Sequence, residues 1–531
     1  MKNKLLRTLL AMLLALSLLL MNACVYAEPA PKTVNIAATS PVSSINPLLI
    51  DATEVMKYAL SLQFLPLVEL SGELEFVPQL AQSITTEDNL TFTITLRENA
   101  AWSDGTPVTS RDVLFTLLLL TSPEAGRAIL SQYLIVGTDE AGMLPSGATE
   151  IEGVKLVDDR TLTVTVKQPT ALYTFANNFG RYMFVLPEHV LGEIPRDQLL
   201  THEWFQAPDV ISGPYFITEA DLNHYVRYRR NENYFLGAPK IEYINLNITT
   251  PAQLLAGLKT GEIDLVQQTM AAVLLEDYEA IGKLPDVTAV PGAPITNQSI
   301  FINVKNVPDA RIRQALLHGI PRRLILEELL GGSGEIVDAF LCSASPYYSE
   351  ALGVTEYDPE KAQTLIAQAK ADGANTSLVW YCDSGDSTFV SAVELIAALM
   401  EELGLKIEIR TVDLDSLMGV AGEGSFDVMS VQYTFAPIDP YTDMVWQLSS
   451  DGWTRYDNPE LAAHFATTQQ SADVQAVRDA YLAINRQVTE DCPMISAYII
   501  SAMGAVNNRL VNVKPDVYGT FVNVHEWDIA R

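Results

Sequence analysis

The chain has 531 residues, 48% of them hydrophobic and 19% charged, with a formal net charge of −31. This composition excludes global disorder, and the acidic balance argues against nucleic acid and anionic membrane surfaces as partners. The length exceeds that of a single domain. Negative charge favours neutral or cationic ligands only weakly, because acidity also serves solubility.

Residues 1–27 are predicted to be an export signal. Three basic residues precede an apolar stretch, 9–21, which is short for a membrane span and fits the core of a signal peptide. The following residues, 21–24, resemble a bacterial lipobox that ends in Cys24, although lipoboxes usually begin with leucine. Cleavage after Ala27 is the alternative and would leave the protein without a lipid. We expect an exported protein that is anchored by a lipid on Cys24.

A strand, a turn and a helix are predicted from Leu90 to Leu117. Hydrophobic residues alternate with polar ones over 90–97, which is typical of a half-buried strand. Gly105 follows an aspartate in turn chemistry that favours a glycine with positive φ. Thr109 or Ser110 is then expected to cap an apolar helix.

Strands and helices alternate through the rest of the chain. Several are clear from their hydrophobic periodicity and end signals. They are strands over 162–166 and 225–228, a helix from Pro359 closed by Gly373, a strand over 377–381, a helix over 389–403, and strands over 406–412 and 427–431. This order predicts an α/β fold, in which ligands bind at the carboxyl ends of strands.

Cysteine and histidine are sparse. The four cysteines and six histidines form no CxxC or CxxH pair, so a structural zinc site is not expected. If Cys24 carries a lipid, then Cys342, Cys382 and Cys492 can form at most one disulfide. We predict no cofactor and no bound metal.

Short motifs spread over the chain form a characteristic series. They are Trp102-Ser103-Asp104-Gly105-Thr106-Pro107, Ser212-Gly213-Pro214-Tyr215, Gly261-Glu262-Ile263-Asp264, Phe301-Ile302-Asn303 with Arg311-Ile312-Arg313-Gln314-Ala315, Tyr357-Asp358-Pro359-Glu360-Lys361-Ala362, Asp439-Pro440 and Tyr456-Asp457-Asn458-Pro459-Glu460. The series resembles that of the extracellular solute-binding proteins of family 5, the peptide- and nickel-binding receptors of ABC importers. Pro321 departs from the family's usual aspartate and is expected to affect only the start of a helix.

The resemblance implies a periplasmic-binding-protein-like, two-lobed α/β fold of type II, with an extra inserted domain and a ligand cleft between the lobes. Trp102 and Asp104 would then belong to the scaffold of the inserted domain. The implied boundaries are 33–57, 205–295 and 495–531 for domain I, 58–204 for the inserted domain II, and 296–494 for domain III.

The resemblance also implies that the ligand binds between domains I and III. By position, the candidate ligand-binding residues are Thr39, Ser40, Trp380, Asp383, Asp386, Tyr433, Thr434, Phe435 and Asp439. The three aromatic residues among them offer flat apolar area for varied side chains. Two alternatives stay open, because Trp380 also suits a core and Asp439 also suits a structural Asp-Pro turn. Asp383 and Asp386 would face a cationic side chain or form a solvated loop.

Two positions depart from dipeptide-binding relatives of this family. Those relatives pair the ligand's ammonium with an acidic residue where this chain has Ala436, and its carboxylate with an arginine in the loop equivalent to 382–388, where this chain has no basic residue. A buried charge without a partner is costly, so we expect an oligopeptide held mainly by its backbone. The stretch 436–440 also resembles nickel-binding relatives, but no histidine lies near it.

These features predict a monomeric, extracytoplasmic substrate-binding protein that delivers oligopeptides to an ABC permease and ATPase. A receptor of the same family for another solute, such as a nickel or metal chelate, is the alternative. An exported hydrolase is less compatible, because the motifs Gly-x-Ser-x-Gly, His-Glu-x-x-His and Ser-x-x-Lys are absent from the sequence. A signalling or adhesion protein on the same scaffold stays open.

Overall fold

The computed structural model describes residues 31–530 except for Ala52, 126–134, Ala339, Asp386, Phe435 and Ala436. The predicted export signal, including Cys24, lies outside the described residues. None of the helices in the described part is long and apolar enough to span a membrane.

Strands account for much of the described chain. In chain order they are β1 (Thr33–Ala38), β2 (Val68–Leu70), β3 (Phe76–Pro78), β4 (Ala81–Thr86), β5 (Thr91–Leu96), β6 (Val154–Leu156), β7 (Thr161–Thr165), β8 (Tyr215–Asp221), β9 (Tyr225–Arg230), β10 (Tyr243–Ile248), β11 (Leu265–Val266), β12 (Val287–Ile302), β13 (Gly334–Glu335), β14 (Ser377–Asp383), β15 (Lys406–Val412), β16 (Val428–Thr434), β17 (Met494–Asn507), β18 (Leu510–Val511) and β19 (Asp528–Ile529).

Most of the described helices lie between these strands along the chain. In chain order they are α1 (Glu54–Ser61), α2 (Ser110–Leu120), α3 (Leu172–Phe175), α4 (Glu188–Leu191), α5 (Arg196–Leu199), α6 (Pro251–Thr260), α7 (Tyr278–Gly282), α8 (Ala310–Gly319), α9 (Arg322–Leu330), α10 (Pro359–Ala371), α11 (Ser387–Leu403), α12 (Leu414–Glu423), α13 (Pro440–Gln447), α14 (Leu461–Gln470) and α15 (Val474–Asp491).

Most strands join one large mixed sheet in the order β15-β14-β16-β12-β17-β11-β1-β10-β9-β8, with β13 paired to β17. One half contains β1 with β8 to β11, and the other contains β14 to β16. The pairs β1–β10, β1–β11, β14–β15 and β14–β16 are parallel, so the carboxyl ends of these strands lie at one edge within each half. The two halves are the lobes of the molecule.

The long strands β12 and β17 run side by side through both halves of the sheet. The amino-terminal part of β12 pairs with the end of β17, while its carboxyl-terminal part also pairs with β16. Their register shifts between Pro291 and Pro294 and again between Pro294 and Thr296. Proline inside a strand is tolerated at such irregularities, which locally interrupt the ladder and allow it to bend. We therefore expect the lobes to bend relative to each other at this stretch.

A smaller antiparallel sheet, β4-β5-β7-β6, forms a separate layer with its own core. Its strand β5 leads into the turn in which Gly105 has φ +89° and Trp102 is fully buried. Thr109 and Asp112 then form a reciprocal capping box at the start of α2. The expected strand, glycine turn and threonine cap are all confirmed.

Other predicted elements also match the structure. Asp358 caps the helix that begins at Pro359, and β15 has the expected bounds. The strand expected over 427–431 extends to Thr434, and the helix expected from 389 begins at Ser387. At Pro321 the start of α9 lacks a side-chain cap, as expected from the missing aspartate. The domain boundaries stay a prediction.

Candidate functional site

A cavity of about 1000 Å³ lies between the two lobes. It collects the residues that directly follow the carboxyl ends of strands in both halves of the large sheet, as expected for an α/β fold. These lining residues are Thr39 and Ser40 after β1, 268–276 after β11, 383–385 at and after β14, and Gln432 and Thr434 of β16. Its volume is at the upper end of the range for small-molecule sites, which accommodates a flexible ligand of several residues.

Thr39 and Ser40 form part of the cavity wall. The Thr39 amide donates to the carbonyl oxygen of Met270 at 3.0 Å, and the Thr39 hydroxyl accepts from the amide of Ala272 at 2.9 Å. Thr39 therefore fixes the loop that follows β11 against the end of β1. Ser40 is exposed beside it, so its hydroxyl is open to the cavity.

Asp383 lies half-buried at the end of β14 and lines the cavity. Its Oδ1 accepts from the Gly385 amide at 3.1 Å, a contact within its own loop. The first turn of α11 begins just beyond this loop and lines the same wall. Asp386, the second predicted carboxylate of the loop, lies outside the described residues.

Thr434 and Tyr433 point to different surroundings, because adjacent residues of a strand face opposite sides. Thr434 is exposed and lines the cavity with Gln432. The Tyr433 ring instead packs edge-on against Phe301 and Trp453, and its hydroxyl donates to Asp443 at 2.7 Å. Burial, reinforced by the charge of Asp443, raises the pKa of Tyr433 above its ordinary value. Tyr433 therefore does not form part of the cavity surface. Its hydroxyl orients Asp443, which lines the cavity.

Trp380 does not line the cavity. It is fully buried in the core beside Val393 and Ile396, and its Nε1 donates to the Ser430 hydroxyl at 2.7 Å. The even position in β14 places this ring under α11 rather than towards the ligand. Trp380 is therefore a core residue and does not provide the expected flat surface for the ligand. Phe435, the third predicted aromatic residue, lies outside the described residues.

Asp439 is 3% exposed and lines the cavity from its own turn. Its carboxylate accepts hydrogen bonds from Thr174 (2.8 Å), from Asn178 (2.9 Å) and from Thr442 (3.2 Å). Burial raises the pKa of Asp439, and the hydrogen bonds partly counter that rise. The carboxylate is thus occupied by protein donors, so it fits a structural role better than a direct contact with ligand.

A buried cluster of charges that was not predicted supports one end of the cavity. Lys57 is fully buried and its Nζ lies 2.9 Å from Glu69 and 3.0 Å from Glu54. The Arg181 guanidinium donates to Glu69 at 2.7 Å and lies 3.5 Å from Glu54. Burial opposes ionisation of Glu54, yet the charges of Lys57 and Arg181 hold its pKa below the ordinary value. The two cations and two carboxylates neutralise one another.

The Tyr182 hydroxyl completes this cluster by donating to Glu54 at 2.8 Å. Glu54, Arg181 and Tyr182 all line the cavity, so the cluster supports this end of the cavity and also forms part of its surface. The spacing of Glu54 and Lys57 by three residues on a helix was a sequence signal for one pair. Glu69 and Arg181 are 112 residues apart along the chain, and no local pattern joins them.

The lining of the cavity is acidic overall. Among its described residues it contains five carboxylates against one cation, Arg181, which the buried carboxylates already neutralise. The carboxylates are Glu54, Glu276, Asp383, Asp439 and Asp443. Such a wall favours a ligand with positive charge. In the described part of the chain, no group of three or more histidine, cysteine or carboxylate side chains is arranged to hold a metal ion, and Cys342, Cys382 and Cys492 are buried.

The sequence matches the model of the bacterial extracellular solute-binding proteins, family 5 Middle, over residues 75–455. A Brucella ovis protein, provisionally named an ABC transporter peptide-binding protein, is 28% identical over 361 residues, which are 66% of this chain and 63% of that protein. The chain thus matches somewhat less than two thirds of that relative's length. The nickel-binding periplasmic protein of Escherichia coli is 25% identical over 456 residues, covering 82% of this chain and 80% of that protein.

The oligopeptide-binding protein AppA from Bacillus subtilis, solved in complex with a nonapeptide, has the same fold. Its TM-score is 0.74 at 20% identity, and the superposition covers 94% of this chain and 100% of that chain. This likeness confirms the two-lobed α/β fold that the motifs predicted. Because the family model covers more than half of the sequence, the chain belongs to the bacterial extracellular solute-binding proteins of family 5.

Proposed function

We propose that the protein is an extracytoplasmic receptor that captures oligopeptides and delivers them to an ABC permease and its ATPase. The observation that carries this proposal is the interlobe cavity of about 1000 Å³, which is lined by strand ends from both halves of the sheet. A ligand that contacts both lobes favours the closed arrangement, because it binds that arrangement better than the open one.

Three features favour a peptide without tightly held ends. The described loop residues 382–385, 387 and 388 contain no basic side chain that could pair with a carboxylate. Arg181, the cation among the described lining residues, is already paired with Glu69. The end of β16 brings the polar residues Gln432 and Thr434 to the cavity surface. Backbone hydrogen bonds contribute roughly 0.5–1.5 kcal/mol each, so several of them suffice for useful affinity.

The acidic wall favours basic residues within the peptide. Asp383 and the exposed Glu276 both line the cavity, whereas the Asp439 carboxylate is occupied by protein donors. We therefore propose that lysine- and arginine-containing peptides bind better than glutamate-containing ones. Lipid anchoring through Cys24 and a monomeric state belong to the same proposal.

Native mass spectrometry of protein purified without refolding tests the ligand class directly, because a retained ligand appears as a defined mass increment. Calorimetry with matched free, end-capped, basic and acidic pentapeptides then tests how the ends are held. We expect capping both ends to change affinity by less than about tenfold. A loss of about a hundredfold would reveal charged end anchors, and the absence of binding by any peptide would move the ligand to another class, with metal chelates as the next probes.

A further inference from the structure

The four-stranded sheet is attached to the lobe that contains β1, because α1 contributes side chains to the cores of both. The Asp439 carboxylate joins this combined unit to the other lobe. Thr174 and Asn178, which donate to it at 2.8 and 2.9 Å, belong to the helical segment 172–180, whose apolar side chains pack in the core of the four-stranded sheet. Asp439 lies at the start of α13, whose apolar side chains pack with β16 in the other lobe. The Asn178 amide also donates to Thr442 at 3.1 Å. The bonds from Thr174 and Asn178 therefore cross the seam between the lobes.

A second polar contact lies on the same seam. The backbone carbonyl of Gln469 accepts from the Asn89 side-chain amide at 3.1 Å, and the Gln469 side-chain oxygen accepts from the Ala171 amide at 3.1 Å. The rings of Tyr173 and Tyr347 meet edge to face between them. Several contacts thus share the seam with Asp439, which is 3% exposed.

Separation of the lobes would return the Asp439 carboxylate to water. Closing them removes it from water, a cost that the donors from the opposite lobe offset. The balance makes closure sensitive to small additional contributions, such as the contacts of a bound ligand. The irregular register of β12 between Pro291 and Thr296 supplies the place where the lobes can turn.

We infer that Asp439, Thr174 and Asn178 form an interlobe latch that holds the cavity shut and sets the rate of ligand release. The part that concerns ligand release rests on the proposed function, whereas the contact itself does not. Asp439 is a positioning residue, because it acts through the arrangement of the lobes. The ligand itself is contacted by Asp383 and by the residues at the strand ends. The latch gives the four-stranded sheet a direct part in closure.

The test compares a latch variant, Thr174→Val with Asn178→Ala, with the control Thr116→Val. Thr116 is also buried in the four-stranded-sheet unit, and its hydroxyl bonds only to Asp112 and Leu186 within that unit. Stopped-flow binding of a pool of arginine-containing pentapeptides measures association and dissociation separately. Amide hydrogen exchange of ligand-free protein measures the seam without any ligand.

In the latch variant we expect dissociation to accelerate about tenfold to a hundredfold, with association within about threefold, because three hydrogen bonds of the closed state are lost. Exchange should accelerate in both 171–180 and 438–447, and the control should change neither quantity. Unchanged dissociation, unchanged exchange at 438–447, or an equal effect in the control would overturn the inference. If no pentapeptide binds the wild type, the peptide proposal fails, while the exchange measurement still decides the latch.

Discussion

Replacement of Lys57 by methionine tests the reasoning about the buried charge cluster. Lys57 is fully buried, and the change removes its ammonium while it preserves much of its apolar stem. Arg181 is then left with two carboxylates, Glu54 and Glu69, so the cluster carries one uncompensated negative charge. The exposed fractions of those carboxylate side chains are only 17% and 6%, which leaves little room for water to compensate.

The expected loss of stability is about 3–5 kcal/mol, the usual cost of removing one partner from a buried ion pair. The double variant Lys57→Met with Glu69→Gln restores charge balance, because Arg181 then faces Glu54 alone. Its loss should therefore be smaller than the sum of the two single losses by about 1–3 kcal/mol. The comparison separates the cost of an unpaired charge from the cost of changed packing.

The pH dependence of the free energy of unfolding provides an independent test of the charge cluster. In the wild type the pKa of Glu54 is held below its ordinary value, so its contribution is present above about pH 4.3 and is lost as the pH falls through the lower, folded-state pKa. Without Lys57, burial dominates and the pKa of Glu54 rises. The destabilisation of Lys57→Met should then shrink as the pH falls from 7 towards 5, because proton uptake removes the unpaired charge.

Urea unfolding of the wild type, both single variants and the double variant at several pH values measures these quantities. A loss below about 1 kcal/mol for Lys57→Met would show that water or a rearranged side chain already compensates the cluster. A double variant no more stable than additivity requires would refute the coupling.

Three further outcomes are expected. Trp380→Phe should lose about 2–3 kcal/mol of stability, from the broken bond to Ser430 and the smaller ring, with peptide affinity unchanged; calorimetry showing weaker binding at unchanged stability would place the ring in the site. Asp383→Asn should reduce the preference for basic over acidic peptides, added salt should shrink the wild-type preference, and the exposed Asp415→Asn should do neither. Labelled palmitate should enter the wild type and not Cys24→Ser, whereas a mature protein beginning at Glu28 would contradict the lipobox interpretation.

Local patterns predicted much of the secondary structure and, through the motif series, the fold. The turn at Gly105, the cap at Asp358 and the alternation in β15 all follow from interactions within a few residues, which the sequence displays directly. The position of cavity residues at strand ends was also accessible, because parallel strands bring their carboxyl ends together. Thr39, Asp383 and Thr434 were predicted at such strand ends and line the cavity, whereas their contact with a ligand stays a prediction.

The direction of individual side chains and the long-range partners were harder to predict. A strand position near the cleft does not say which way Trp380 points, because the helix that covers one face of β14 decides which of its alternating side chains are buried in the core. The role of Asp439 depends on Thr174 and Asn178, more than 260 residues earlier. The cluster of Lys57 and Arg181 likewise forms only when separate segments pack together.

The pairing of strands has a consequence for how the chain acquires its structure. β1 pairs with β10 about two hundred residues later, and β11 pairs with β17 near the end of the chain. Because β17 also joins β12 along most of its length, the large sheet cannot be completed before residue 507 is available. Such non-local pairing slows folding. A chain that emerges from its amino terminus therefore lacks the completed large sheet until residue 507 has emerged, so the apolar strands that pair with β17 are among the last to be buried.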